Sequence, residues 1–248
     1  MPVHLLTDYL SIVVGFQLYL FLNKGSDIAG TERYLYIIGA LLGALLGSRL
    51  LAFVADPSLL SSGLTLAVFF ANKTIIGAIL GGIIGIEIIK KFLGITRRTG
   101  DSVVVPLMVA IIIGRVGCQF AGVPDGTIGV PCDWAWCFMQ GDAYPRHPLP
   151  LYEIGALLAA LPFVYRALIK KVFPEGMLFR FFIIGYLGFR FFEEFLKNDL
   201  RVLWSLTAIQ IACLVGAAFY LYDVHRQLSA IRRVITHGGV YDVRDRGR

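Results

Sequence analysis

Runs of about 20 mostly apolar residues recur along almost the whole chain, and no other sequence feature limits its possible folds as strongly. As a helix, a run of this length crosses the hydrocarbon core of a bilayer. Apolar residues make up 57% of the chain and charged residues 16%, whereas soluble domains have about 45–50% and about 25%. The sequence therefore excludes an ordinary soluble domain or a disordered chain and predicts an all-α integral membrane protein.

Seven segments qualify as transmembrane helices, numbered here in chain order. They are Leu5–Leu22, Tyr34–Val54, Thr74–Ile89, Val103–Phe120, Leu149–Leu168, Met177–Leu196 and Leu203–Tyr222. The third is short and the sixth carries charge, which is tolerated where other helices surround the segment. The shorter run Leu64–Ala71 is predicted to be interfacial or re-entrant. We expect one polytopic membrane domain, residues 1–224, followed by a basic cytoplasmic tail, residues 225–248.

The orientation follows from the basic residues of the connecting segments. Fifteen Lys and Arg fall in the segments on one side of this layout and five in those on the other. Because basic residues accumulate on the cytoplasmic side, the N-terminus is predicted outside and the C-terminus inside. The same bias accounts for the net charge of +6, and we expect no nucleic-acid partner, since no groove-reading motif is present. The longest connection, 121–148, is predicted to form a structured outer loop between helices 4 and 5.

Glycines recur every fourth residue in two neighbouring helices. The two sets are Gly39, Gly43 and Gly47 in helix 2, and Gly77, Gly81 and Gly85 in helix 3. This spacing places each set on one helix face, where the missing side chain lets two backbones approach closely. We predict a packing role for both sets.

Ionisable residues cluster at the outer level of helices 4, 5 and 6. They are Arg115, Arg146, His147, Glu153, Arg190, Glu193 and Glu194. Such residues inside a membrane are candidates for function. The planar fork of arginine binds phosphate oxygens through two hydrogen bonds, so the pattern predicts a site for a phospholipid head group. The alternative is internal neutralisation, since Arg190 and Glu194 are four residues apart on one helix face.

Cysteines add an open choice in the outer loop. Cys132 and Cys137 lie within it and Cys118 at its edge. An oxidising exterior permits a disulfide between Cys132 and Cys137, and the alternative is two free thiols. Metal binding by all three cysteines remains an alternative without a recognisable ligand spacing.

Three separate motifs resemble those of the prolipoprotein diacylglyceryl transferase family. They are GRVGCQFAGVPDGTIG from Gly114, PRHPLPLYE from Pro145 and RFFEEFLKND from Arg190. The third helix, NKTIIGAILGGIIGIEIIKK, is also similar, and the resemblance in order and spacing covers about residues 9–222.

This resemblance implies a seven-helix enzyme of the bacterial inner membrane. The family transfers the diacylglyceryl group of phosphatidylglycerol to the thiol of a lipobox cysteine in a preprolipoprotein, and releases glycerol phosphate. It uses no metal or diffusible cofactor, so we expect none here. We expect the partners to be phosphatidylglycerol, the lipobox peptide and membrane lipid, and the chain to act as a monomer.

The resemblance also assigns roles to individual residues. Arg115 and Arg190 match the arginines that bind the lipid head, and Glu194 matches a glutamate one turn beyond the second arginine. Other matches supply substrate contacts; they are Arg49 late in helix 2, Arg146 before helix 5, and Tyr152 and Glu153 at its mouth. With His147, the predicted catalytic set is Arg115, Arg190, Glu194 and His147.

The chain departs from the family pattern at three positions. Ile76 replaces a histidine proposed as the thiol base, Cys118 replaces an asparagine, and Lys197 replaces a third arginine. His147 has a suitable unperturbed pKa, about 6.5, although a capping or surface role is the alternative for it. Flanking arginines alone can also favour the reactive thiolate.

The alternatives for function are a divergent member that uses another acceptor or only binds lipid, and a transporter of a small anion or lipid. Transporters often contain internal repeats, and the sequence shows none.

Overall fold

The computed structural model describes residues 2–24, 30–61, 65, 68–69, 72–96 and 100–236. Seven long helices account for most of these residues. They are α1 (Pro2–Leu22), α2 (Gly30–Ala55), α3 (Ile75–Phe92), α4 (Asp101–Ala121), α5 (Leu149–Ile169), α6 (Met177–Glu193) and α7 (Ala208–Thr236). Each overlaps one of the predicted segments, and a single helical turn, Ser58–Ser61, follows α2.

Five of the long helices, α1, α2, α4, α5 and α7, are long and apolar enough to cross a membrane. Of the other two, α3 has 18 residues with three charged side chains near its end, and α6 has only 17 residues. The architecture is therefore that of an all-α membrane protein, with two of its helices more polar or shorter than the rest.

The last helix differs from the prediction at both ends. The start of the predicted segment, near Leu203, instead forms a small antiparallel pair between Arg201–Leu203 and Leu206–Thr207. Helix α7 then begins at Ala208 and continues to Thr236, twelve residues into the predicted tail. The apolar run of the sequence ends near residue 222 because the residues of the helix become polar there. The helix itself continues. Residues 237–248 of the tail and most of the run 64–71 lie outside the described residues.

The two glycine sets bring α2 and α3 into backbone contact. A Cβ placed on Gly43 would lie 2.2 Å from the carbonyl oxygen of Gly81, and one on Gly47 would lie 2.3 Å from that of Gly77. A Cβ on Gly85 would lie 2.0 Å from the Gly39 oxygen. No side chain fits at these positions, which confirms the predicted packing role.

Helices α4 and α6 run parallel and are joined at their starting ends. The Asp101 carboxylate, in the first turn of α4, accepts hydrogen bonds from the Gly176 and Phe179 N–H groups at 2.7 and 2.9 Å. These donors belong to the start of α6, whose first N–H groups have no partners within the helix. The apolar core lies between α3, α4, α6 and α7 and includes the buried Ile76, Met108, Ile183 and Cys213.

The opposite end of α4 and α6 is called the site end here. It carries the connection 122–148, which contains the paired strands Phe138–Met139 and Pro145–Arg146 and a disulfide between Cys132 and Cys137. The Val130 N–H donates a hydrogen bond to the Leu196 carbonyl at 2.8 Å, so this loop is fixed to the end of α6. The predicted outer loop is thus structured.

Candidate functional site

Glu153, near the start of α5, lies at the centre of the site. Its side chain has no solvent-exposed surface, and its Oε2 atom lies 2.7 Å from Arg115 Nε of α4 and 3.6 Å from Arg190 Nη1 of α6. The Tyr186 hydroxyl donates a hydrogen bond to Oε1 at 2.7 Å. One buried carboxylate therefore brings together both arginines predicted to bind the lipid head.

A second group of carboxylates surrounds Arg190 on the other side. Arg190 contacts Glu193 directly, and its Nη2 atom lies 3.5 Å from Glu194 Oε2. Lys197 Nζ is also 3.5 Å from Glu194 Oε2 and is 3.9 Å from Asp199 Oδ2. We call this set of seven side chains the charge network; its members are Arg115, Glu153, Arg190, Glu193, Glu194, Lys197 and Asp199.

Local sequence and helix direction explain why the network forms. Arg190, Glu193 and Glu194 are spaced three and four residues apart, so they share one face at the end of α6. Arg115 reaches the same level because α4 runs parallel to α6. The internal pair expected from the spacing of Arg190 and Glu194 is therefore present, and Arg190 contacts two further carboxylates as well.

This pairing does not use up the hydrogen-bonding capacity of the arginines. A guanidinium carries five N–H donors in a rigid fork, and the carboxylates of the network hold both forks in fixed orientations. Two oriented forks at one level can bind the oxygens of a phosphate group between them. The arrangement is suited to stabilising a phosphate ester or the phosphate that leaves from it.

Two members of the network lie beyond the helical part of α6 and have shifted pKa values. Burial raises the pKa of Asp199 to about 6, and the nearby Glu194 carboxylate adds to this increase although Lys197 opposes it. Burial and the positive charge of Arg190 lower the pKa of Lys197. The edge of the network is thus sensitive to pH near neutrality, whereas a guanidinium keeps its charge.

His147 and Tyr152 form a separate pair at the mouth of α5. The His147 Nδ1 atom lies 3.0 Å from the Tyr152 hydroxyl, and both side chains are partly buried. The sulfur atoms of Cys132 and Cys137 and a ring nitrogen of His147 all lie within 4.8 Å of one another. The two sulfurs are bonded, so these three residues could hold a metal ion only after reduction of the disulfide. Cys118 lies elsewhere, with its sulfur 3.9 Å from Arg115 Nη1.

Arg146 is held by the outer loop and has no contact with the arginines of the network. Its guanidinium donates to Asp142 at 2.7 Å and to the Gly129 carbonyl at 3.2 Å. The hydrogen bond from Arg146 lowers the pKa of Asp142. Arg146 also lines an open cleft of about 390 Å³ together with Asn198 and Asp199. Since Asp199 contacts Lys197, this cleft is the solvent-exposed edge of the charge network.

Arg49 lies in the last two turns of α2. It is buried and donates to the Ser48 hydroxyl at 3.4 Å, while the Ser48 carbonyl accepts from the Thr74 N–H before α3. Ile76, at the position of the family histidine, is completely buried in the apolar core. The structure therefore places Arg49 beside the start of α3.

Three residues at the site were not predicted from the sequence; they are Tyr186, Thr207 and Asp199. Tyr186 lies four residues before Arg190 and so on the same helix face, which is a signal that spacing could have shown. Thr207 donates to Glu194 Oε1 at 3.3 Å. Its position depends on a strand pair that the sequence predicted to be helix.

Comparison with known proteins identifies the family. The family model described as prolipoprotein diacylglyceryl transferase matches residues 8–224. A phosphatidylglycerol–prolipoprotein diacylglyceryl transferase from Bordetella bronchiseptica is 29% identical over 238 residues, which cover 86% of this chain and 88% of that protein. Another protein of that name, from Paramagnetospirillum magneticum, is 28% identical over 88% of each chain. The chain therefore belongs to the prolipoprotein diacylglyceryl transferase family.

Proposed function

We propose that this chain transfers the diacylglyceryl group of phosphatidylglycerol to the thiol of a lipobox cysteine in a preprolipoprotein. The observation that carries the proposal is the convergence of Arg115 and Arg190, from two different helices, on buried Glu153 at one end of a membrane bundle. The relatives that carry this activity in their names match most of the chain. The first step of bacterial lipoprotein maturation is the function that fits both findings.

The reaction places most of its new charge on phosphate. The acceptor sulfur attacks the glyceryl carbon, a C–S bond forms, and the C–O bond to phosphate breaks with its electron pair on the phosphate oxygen. Glycerol phosphate then leaves. Arg115 and Arg190 stabilise the departing phosphate, since donors already oriented in a site with little water act most strongly on developing charge. Glu153 and Glu194 hold the two guanidinium groups in place.

The thiol proton needs an acceptor, and we assign this role to His147, with its ring oriented by Tyr152 at 3.0 Å. An imidazole nitrogen within hydrogen-bonding reach of the thiol can accept its proton and later release it. The alternative is a thiolate favoured by the nearby arginines alone. Arg146 at the open cleft and Arg49 beside α3 are assigned to outer contacts with the substrates. Tyr152 is assigned to the entry, and Glu153 contributes to substrate binding through the two arginines that it holds.

The site end is proposed to face the outside of the bacterial inner membrane. In this arrangement all seven long helices span the bilayer, the N-terminus is outside, and residues 225–248 form the basic cytoplasmic end of a monomer. A cysteine probe at Gly126 should be labelled by an impermeant reagent from outside, and one at Gly239 only after permeabilisation. The reverse pattern would place the site in the other leaflet and contradict the proposal.

The direct test uses the full chain in detergent with phosphatidylglycerol and a synthetic lipobox peptide. We expect a thioether-linked peptide and an equal amount of glycerol phosphate. The matched controls are a lipobox peptide with serine in place of cysteine, and phosphatidylethanolamine in place of phosphatidylglycerol. Lipid binding without either product would identify a catalytically silent lipid-binding protein. Glycerol phosphate release without modified peptide would indicate a different acceptor.

A further inference from the structure

All three tryptophans of the chain lie on two short hairpins at the site end. Trp134 and Trp136 precede the strand Phe138–Met139, and Trp204 lies at the turn between Arg201–Leu203 and Leu206–Thr207. They are 64%, 52% and 85% exposed. Tryptophan is normally among the more buried residues, so three exposed copies at one end of the molecule need an explanation.

The Trp204 turn presents its indole ring at the tip of a hairpin. Leu203 pairs with Leu206, so Trp204 and Ser205 form a two-residue loop. Their φ angles of 49° and 60° lie in the left-handed region that such a loop requires at both positions, although bulky side chains rarely adopt it. Trp204 is 85% exposed in this position.

A disulfide closes the segment that carries the tryptophans of the first hairpin. The disulfide between Cys132 and Cys137 encloses Trp134 and Trp136, whose rings are stacked with centroids 5.2 Å apart. Further apolar side chains on this hairpin point outward as well; they are Phe138, Met139 and Tyr144. A rigid exposed apolar patch of this kind marks an interaction surface.

The length of the neighbouring helices determines the depth of both hairpins. Helices α4 and α5 each have 21 residues, which corresponds to about 30 Å and matches the thickness of a bilayer hydrocarbon core. The hairpins therefore begin where the hydrocarbon ends. Exposed aromatic rings continue the apolar surface onto the ends of α4 and α6, with Phe120 74% and Phe192 70% exposed.

We propose that the two hairpins insert their tryptophans into the interfacial layer of the membrane leaflet at the site end. An indole ring combines an apolar body with one N–H donor, and it collects at the boundary between acyl chains and head groups. The occupant of this surface is phospholipid, because the patch is continuous with the lipid-facing surface of the helices. An acceptor polypeptide would instead be expected at the polar cleft beside Arg146 and Asp199.

The inserted hairpins determine the depth of the charge network. The loop that carries the first hairpin is hydrogen-bonded to the end of α6 through Val130 and Leu196 at 2.8 Å. The second hairpin begins at Arg201, shortly after Lys197, and its Thr207 hydroxyl donates to Glu194 at 3.3 Å. Because both are fixed to the network, anchoring them at the interface holds Arg115 and Arg190 at the level of lipid phosphates. This inference depends on the membrane fold and not on the transfer reaction.

The test measures tryptophan depth in vesicles of phosphatidylethanolamine and phosphatidylglycerol. Trp204→Phe isolates the emission of the stacked pair, and Trp134→Phe with Trp136→Phe isolates that of Trp204. We expect blue-shifted emission from both forms, strong quenching by lipids brominated near the head group, and weak quenching by lipids brominated near the chain end. Emission typical of water, quenched by acrylamide and not by brominated lipid, would overturn the proposal.

A second measurement separates lipid from polypeptide as the occupant. If a lipobox peptide shifts the tryptophan emission and lipid does not, the hairpins bind the acceptor and the proposal is wrong. In vesicles, Trp204→Ala should lower membrane transfer several-fold while transfer in detergent stays normal. The matched control is Phe92→Ala, which removes an equally exposed ring at the opposite end of the bundle. An equal effect of both variants would contradict a specific role of the hairpins.

Discussion

Two contacts between helices in this molecule differ in the chemical groups that form them. Helices α2 and α3 meet through bare backbone at six glycines, whereas α4, α5 and α6 meet through buried charges around Glu153. In a bilayer, close packing of small residues is sufficient to associate helices. Burying ions is costly, and a buried ion pair is often no more stable than an apolar replacement. The glycine contact is thus explained by assembly alone, whereas the charge network calls for a function.

The largest expected effect is on Arg115. Arg115→Ala should abolish transfer, because one of the two forks proposed to bind the phosphate is lost. It should also destabilise the protein, since Glu153 loses its nearest cation and breaking a buried pair costs about 3–5 kcal/mol. Arg115 is only 6% exposed, so its removal affects packing as well. Product formation and thermal stability in detergent measure both effects.

The control for Arg115 separates catalysis from stability. Arg115→Leu combined with Glu153→Leu removes both charges and should recover much of the lost stability, while transfer remains absent. Recovery of transfer in this double variant would show that the network has only a structural role.

A smaller effect is expected from Arg190→Lys, which keeps the charge and removes the fork. Losing one charge-assisted hydrogen bond costs about 1.5–3 kcal/mol, which is roughly 10- to 150-fold in turnover or lipid affinity. If Arg190 only neutralises the carboxylates around it, lysine should serve nearly as well. Near-normal transfer by Arg190→Leu with Glu194→Leu would end the phosphate-binding assignment at this position.

A substitution at the glycine contact should lower the stability of the protein without changing its catalytic turnover. Gly81→Ala places a methyl group 2.2 Å from the Gly43 carbonyl oxygen, and overpacking of this kind costs about 1–3 kcal/mol. The melting temperature in detergent should fall, while turnover of the folded fraction is unchanged. Gly185→Ala is the matched control, because no heavy atom lies within 4 Å of its added Cβ. Equal losses in the two variants would contradict a tight contact at Gly81.

The smallest effect concerns pH and Asp199. Its pKa of about 6 means that the carboxyl group is neutral below this pH and negative above it. The added negative charge should weaken binding of anionic lipid as pH rises, by about 0.2–1 kcal/mol for a partly exposed charge. Asp199→Asn should bind lipid with a flatter pH profile between pH 5 and about 7. A profile unchanged by this substitution would assign the pH dependence to another group.

Much of the fold could be predicted because it depends on local signals. Helix positions follow from apolar runs, and the contact between α2 and α3 follows from glycine spacing alone. The shared membrane depth of Arg115, Glu153 and Arg190 could also be predicted. Each lies near one end of a helix, and successive spanning helices alternate in direction.

Other parts depend on contacts that no local pattern encodes. The pairing of Arg146 with Asp142 depends on how the outer loop folds, and the position of Arg49 beside the start of α3 depends on where α2 and α3 pack. The strand pair near Trp204 was predicted to be helix because its residues are apolar, although left-handed backbone angles at two positions end the helical pattern. Tyr186 was missed because a tyrosine among phenylalanines resembles ordinary lipid-facing sequence.

The Asp101 carboxylate has a mechanical consequence for substrate entry. It ties the starting ends of α4 and α6 together, about 20 Å along the helix axis from Arg115, while Glu153 bridges the same two helices at their other ends. A parallel pair fastened at both ends cannot slide lengthwise like a piston. Room for a two-chained lipid must therefore come from movement of the connecting loops or of the helices outside this set, with the spacing between the two guanidinium groups left unaltered.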